Sequence, residues 1–256
     1  MIPGFCSLPK GDKMVFKQER RKALSLLFGW LVVFLSPSSC FLKWAAAKDE
    51  PHFKETAMKL LPPEIDGTVS VERAIKQRRT IRSFTSGSLD LSHLSQLLWS
   101  AQGITGSSGF KRAAPSAGAL YPMDIYAVVG RKGVEQIKAG VYHYEPHGHK
   151  LSLIKEKDVR ESVAKASLSQ IWMAPAPLNI VITAEYSRIT VKYKERGIRY
   201  AMIEAGHIAQ NLFLQAEALG LKAAIVGAFH DNKIVEILKI PRTHKPLLIM
   251  PIGYAA

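Results

Sequence analysis

The sequence predicts an α+β domain, and three observations carry that prediction. Residues 178–184 (LNIVITA) form a near-continuous apolar run, as expected of a strand buried on both faces. Residues 200–219 form the longest helix, with Ala205, Ile208, Leu212, Gln215 and Leu219 on its period and Gly220 as its stop. Around these two, helices, hairpins and buried strands succeed one another without the regular strand–helix–strand beat of a doubly wound parallel sheet.

The other elements are read in chain order. Ser70 can cap a helix that runs through Val71, Ala74 and Ile75 to about Arg78. Asp90 can cap a second, with Leu91, Leu94, Leu97, Leu98 and Ala101 at helical spacing and Gly103 at its end. Residues 124–129 (DIYAVV) read as a strand, and 141–144 with 151–154 as a hairpin around Pro146-His147-Gly148. Residues 159–166 suit a helix and 222–227 a strand. Asp231 can cap a helix through Ile234, Ile237 and Leu238, and 246–253 (PLLIMPIG) make the last strand. No internal repeat is visible.

Residues 1–47 read as a leader. Lys17, Arg20, Arg21 and Lys22 precede an apolar run, 23–35, which the serines and Pro37 interrupt before Ala45-Ala46-Ala47. That is the three-part pattern of a secretory signal, with export to the periplasm or cell envelope as its consequence. Arg20-Arg21 suggests the twin-arginine route, and membrane anchoring by 23–42 is the alternative. Residues 48–68 are polar, carry Pro51, Pro62 and Pro63, and suit a linker or surface arm. The main domain is then 69–256.

The 256 residues are 47% apolar and 22% charged, which excludes wholesale disorder and a multi-span membrane protein. The net charge of +14 favours anionic ligands. The leader carries seven basic and two acidic side chains, leaving 28 against 19, or +9, for the rest. Both cysteines, Cys6 and Cys40, lie in the leader, so the domain has neither a disulfide framework nor a cysteine metal site. The dinucleotide fingerprint, the P-loop, H-E-x-x-H and G-x-S-x-G are absent, as are helix-turn-helix and RNA-binding signatures. No nucleic-acid partner is expected. Glu204-x-x-His207 has the spacing of a di-iron ligand pair, but such sites need a second copy, so no metal is expected. His143, His147 and His149 flank a hairpin turn and read as surface residues.

Three stretches can carry chemistry. Arg78-Arg79-Thr80-Ile81-Arg82 sets three guanidiniums and a hydroxyl at a helix end, a pattern suited to a phosphate but, read in isolation, more often a solvated basic turn. Residues 115–122 (PSAGALYP) make a small-residue loop whose backbone can approach a flat ligand. Residues 224–228 (AIVGA) take a strand end into a glycine loop whose amides can face a heterocycle edge.

In order and spacing these stretches resemble the flavin-dependent nitroreductase superfamily, and within it the SagB-type branch, named for the azoline-oxidising subunit of peptide-toxin synthetases. The matching stretches are RRTIRSF, LSQLLWSAQGIT, APSAGALYPMDIY, GVYHYEPHGHKL, the long run from KYKERGIRY to AAIVGAF, and LLIMPIGY. They cover roughly residues 69–256.

The resemblance implies a nitroreductase-like α+β fold, with a mixed central sheet flanked by helices in an interlocked homodimer. It implies FMN, with NAD(P)H as one candidate electron donor. Arg78, Arg79, Thr80 and Arg82 would hold the phosphate and ribityl chain. Ser116, Ala117 and Gly118 would line the flavin from the partner subunit. Ile225, Gly227 and Ala228 would turn amides to its N5 and O4 edge. Lys192-Tyr193 matches the Lys-Tyr pair of azoline dehydrogenases, one of which would take a proton from the substrate. The implied activity is hydride transfer through flavin N5 to or from a small organic substrate. That substrate would be a nitroaromatic or quinone acceptor, or a peptide-like heterocycle to be oxidised. An envelope redox partner would suit an exported enzyme. The rival reading is a flavin-binding or envelope interaction module without turnover.

Overall fold

The computed structural model describes residues 57–256, so the leader reading and the start of the linker reading lie outside the described residues. Seven strands, β1 (Ala57–Lys59), β2 (Met123–Val129), β3 (Gly140–Glu145), β4 (Lys150–Lys155), β5 (Leu178–Ala184), β6 (Lys222–Ala223) and β7 (Lys245–Gly253), form one sheet in the order β1-β4-β3-β2-β5-β7-β6. Six helices accompany it: α1 (Val71–Gln77), α2 (Leu91–Gln102), α3 (Arg160–Ala166), α4 (Ser187–Tyr193), α5 (Arg196–Ala218) and α6 (Asp231–Leu238). The α+β class is as expected. The strand pairings are all antiparallel, and the mixed character expected of the sheet is confined to isolated parallel bridges at Thr80–Ala223 and Leu89–Val134.

Helices cover both faces, which explains the unbroken apolar run of β5. Strand side chains alternate between faces. Ile125, Ala127 and Val129 of β2 and Ile180 and Ile182 of β5 pack in one core with α2 and α5. Tyr126, Val128 and Val181 pack in another with α3 and α6. Every residue of β2 and β5 is buried.

Local chemistry accounts for the helix ends and for the departures from expectation. The Ser70 hydroxyl accepts the Arg73 N–H at 3.2 Å and caps α1. Asp90 sits at the N-cap of α2 without a side-chain cap bond. His230 is the N-cap of α6 in place of Asp231, which instead puts its charge in the first turn, where the helix dipole favours it. The expected strand 222–227 is regular over two residues only. The Ala224 N–H bonds to the Pro251 carbonyl, but Pro251 has no N–H to return. Pairing resumes at Val226–Ile249. Part of the expected arm adds to the sheet: β1 pairs with β4 in the register Ala57–Ser152, and Leu60 is buried behind it. The helix α4 has no counterpart in the sequence reading.

Replacing Ile180 by alanine removes a fully buried side chain from β5. It lowers the free energy of unfolding by about 2–5 kcal/mol. Ser70→Ala costs about 1 kcal/mol. Urea denaturation followed by circular dichroism checks both.

Candidate functional site

Two of the three stretches meet at one edge of the sheet. The bridge Thr80–Ala223, supported by the Ile81 N–H to the Ala223 carbonyl at 3.0 Å, sets the arginine turn against β6. Arg78 lies over the Phe213 ring at 5.3 Å and Arg82 over the Trp172 ring at 5.8 Å. Arg79 folds back on the carbonyls of Lys76 and Arg78 at 2.9 and 2.8 Å. Among the described residues none of these three guanidiniums has a carboxylate partner, and Arg79 and Arg82 are exposed. Two residues beyond Val226, the Ala228 carbonyl accepts from the Gln170 side chain at 3.2 Å. A methyl placed on Gly227 would touch only Leu248, at 4.0 Å, so space stands open above the loop. Ile225 is partly exposed beside it.

The third stretch lies elsewhere. Gly118 adopts φ +63°, a conformation that favours glycine. A methyl there would lie 2.8 Å from Tyr193 Oη and 3.1 Å from Lys192 Nζ. The loop 116–118 therefore meets the expected base pair at the end of α4. Tyr193 packs edge-on against Tyr200 at 5.2 Å, and Lys192 Nζ lies 5.3 Å from the Tyr193 ring. No hydrogen bond, ion pair or ring contact among the described residues joins this group to the arginine turn. The register explains why. Thr80 and Ala223 border Ile252, opposite Leu178, whereas Pro122 accepts from the Glu185 N–H beside Ala184. The six-residue span of β5 separates them by about 20 Å.

Beside the Gly118 group lies a buried polar network. Asp124 Oδ1 meets His143 Nε2 at 3.0 Å, and its Oδ2 meets Arg188 Nη1 at 2.8 Å. Arg188 Nε also holds Glu185 at 2.7 Å. Burial would raise the Asp124 carboxyl. The His143 hydrogen bond and the charges of His244 and Arg188 outweigh it and hold the group below the usual carboxylate range. Ligand atoms of Asp124, Glu185 and His244 gather within 4.8 Å, but the Arg188 guanidinium already bridges both carboxylates, where a cation would sit. Glu204, 2% exposed, accepts from Gln102 Nε2 at 3.1 Å. Burial pushes its carboxyl up to about 7, partly offset by the Ser116 hydroxyl, Gln102 and the Arg112 charge.

The nitroreductase family profile matches residues 75–254. The chain belongs to the nitroreductase family. A protein of Methanocaldococcus jannaschii named as a nitroreductase is 43% identical over 196 residues, which cover 77% of this chain and 96% of that one. The microcin B17-processing protein McbC of Escherichia coli is 27% identical over 169 residues, 64% of this chain and 62% of McbC, in keeping with the SagB-type motifs. A crystal structure named for a nitroreductase of Ralstonia eutropha superposes with a TM-score of 0.69 at 27% identity, covering 79% of this chain and 90% of that one. The chain is thus an oxidoreductase of the nitroreductase family.

Several polar residues of this nitroreductase-family chain differ from their sequence reading. His143 and His149 are not surface turn residues. His143 pairs with Asp124, and His149 lies 2.8 Å from both Ser95 Oγ and Tyr144 Oη; of the three, His147 alone is exposed. Strand alternation turns His143 toward Asp124, and the chain reversal at Gly148 brings His149 back over α2. Glu204 and His207 part company, one buried and the other exposed. The signal for Glu204 is its place beside the buried Ala201, Ala205 and Ile208 of α5. Asp124 shows as the one charge in a strand buried throughout.

Glu204 ties stability to pH. Its folded-state value of about 7 lies above the ordinary 4.5, so its contribution is full below pH 4.5 and lost as the pH rises through 7. Glu204→Gln is therefore more stable than the parent at pH 8, by up to about 3 kcal/mol. The gap closes toward pH 4.5. Urea unfolding at pH 5 and pH 8 checks it.

Proposed function

We propose that the chain is an FMN-dependent oxidoreductase that works as a homodimer on a small organic substrate. The observation that carries this reading is the set of three guanidiniums without carboxylate partners among the described residues, placed beside the open Gly227 loop. A cluster of like charge with no internal counter-ion suits a phosphate. The uncovered backbone at 225–228 suits a flat heterocycle. The residues present therefore fit FMN. Arg78, Arg79 and Arg82 would hold its phosphate, Thr80 its ribityl chain, and Ile225, Gly227 and Ala228 the edge of its ring. The bound flavin would supply hydride exchange at N5.

The distance between the two groups of residues supports a second copy of the chain at each site. In one chain the Ser116–Gly118 loop lies about 20 Å along the strands from the arginine turn. A homodimer can bring one copy's loop to the other's arginines. Lys192 and Tyr193 then do the proton work. Both polar tips converge on Gly118, which has no side chain to hold them off. Either one can take or hold the proton that leaves the substrate carbon or heteroatom. Residues 1–47 would export this enzyme to the periplasm or cell envelope. NAD(P)H is a cytoplasmic donor, so an envelope redox partner would supply or collect its electrons there.

Purified as the full chain and mixed with FMN, the protein retains about one flavin per chain on gel filtration, read by visible absorption. Lys192→Ala and Tyr193→Phe keep the flavin and lower turnover of a nitroaromatic or azoline substrate by about 10²-fold or more. A colourless protein that folds but ignores FMN contradicts the flavin reading. Unchanged turnover in both variants removes the proposed proton carriers.

A further inference from the structure

Next to the Gly118 group, a cavity of about 210 Å³ opens between the end of α2, the starts of β2 and α4, and the β3 turn. Its polar walls include Gln102, Arg112, Asp124, His143, Glu145 and Arg188. Two of these are arginines, and they differ in one respect. Arg188 commits its guanidinium to Asp124 and Glu185. Arg112 has no carboxylate within ion-pair distance among the described residues. Its guanidinium lies over the Tyr121 ring at 4.2 Å, and one N–H reaches Gln102 Oε1 at 3.4 Å. The remaining donors of this half-buried arginine have no partner among the described residues.

The neighbouring charges do not neutralise Arg112. Asp124 is already met by His143 and Arg188. Glu204 is buried and hydrogen-bonded to Gln102, and with its carboxyl pushed up to about 7 it carries only part of a charge at neutral pH. Burial in turn pulls the Arg112 guanidinium below its usual value, as expected of a charge short of solvent and counter-ion. The tyrosine ring under the guanidinium helps to hold it in place, which leaves a positioned fork.

We infer that this cavity is a substrate subsite in which Arg112 receives a carboxylate. The fork matches a carboxylate by two parallel hydrogen bonds. The volume is below the 300 Å³ or so of a drug-sized pocket, so it takes a carboxylate with a small ring or short chain. The position faces the chemistry by two routes. Arg188 in the cavity wall is one turn of α4, about 6 Å, from Lys192. The Tyr121 N–H bonds to Ser116 Oγ at 3.0 Å, which ties the platform under Arg112 to the loop at Gly118. The subsite deepens the proposed function and rests on it for the chemistry after binding: the substrates turned over are carboxylate-bearing. The carboxylate has two sources, a small organic acid or the end of a peptide chain.

The test is calorimetric titration of the full chain with benzoate and with benzamide, its neutral isostere, then with N-acetyl-triglycine and its C-terminal amide. Arg112 as receptor predicts that an acid binds about tenfold or more tighter than its amide. Preference for benzoate alone assigns small acids, and preference in the peptide pair assigns chain termini. Arg112→Gln abolishes the preference, Arg112→Lys keeps part of it, and Lys138→Gln, a remote surface change, keeps all of it. Equal binding of acid and amide in both pairs overturns the proposal, and so does a preference that survives in folded Arg112→Gln. The comparison in the unmutated chain decides even where a variant misfolds. Flavin content, read separately by absorption, keeps the two readings apart. Acid preference without flavin retains the subsite and removes the flavin enzyme, and flavin without acid preference does the reverse.

Discussion

The strand β5 is the constraint on which the rest of the structure depends. It is buried at all seven positions and paired on both edges, with β2 on one side and β7 on the other. Such a strand cannot slip by one residue without turning its apolar side chains into the wrong layer, so its register is strongly set. Both functional regions are hung from its ends. At one end Leu178 lies opposite Ile252, which carries β6 and through it the arginine turn. At the other, Ala184 leads into Glu185 and α4, which brings Arg188, Lys192 and Tyr193 to the loop at Gly118. The length of one strand therefore sets the distance between the arginine turn and the Gly118 group, the proposed phosphate and proton-transfer sites. A second subunit is the simplest way to join them.

Charge is distributed with the same division of labour. Arg160, like Arg188, is committed to structure: it holds Asp158 at 2.8 Å and lies so close to Gly130 that a side chain there would collide with it. Arg78, Arg79, Arg82 and Arg112 have no such partners among the described residues. Folding gains little from an unpaired, partly covered guanidinium. In the proposed reading, such groups mark places where the counter-charge arrives with a ligand. Their locations match the two tasks proposed above, cofactor at the sheet edge and substrate beside α4.

Much of the fold was legible because burial leaves a pattern. The apolar run of β5 and the 3.6-residue period of α5 announce themselves through the side chains they bury. Elements held by other means were harder to read. α4 is seven residues long with one buried position, Ile189, too short to show a period. β1 belongs to a polar stretch and is made a strand by backbone bonds to β4. The break in 222–227 depends on a proline nearly thirty residues further on. Of the candidate site, the residues with special backbone or charge clustering were visible: the arginine turn, the Gly118 loop and the Gly227 loop. The contacts of Arg112, Asp124 and Glu204 were not, since each gains its meaning from neighbours distant in sequence, as in the reach of Gln102 to Glu204 across 102 positions.

The central claim is that the arginine turn exists to hold a phosphate at the end of a flavin. Titration of the full chain with FMN and with riboflavin, each monitored by quenching of flavin fluorescence, tests it most directly. The two ligands share the ring and ribityl chain and differ in the phosphate alone. Three unpaired guanidiniums predict that FMN binds at least about 100-fold more tightly, with the difference shrinking as salt is raised. Equal affinity for the two, or binding of neither by a folded chain, would contradict the claim.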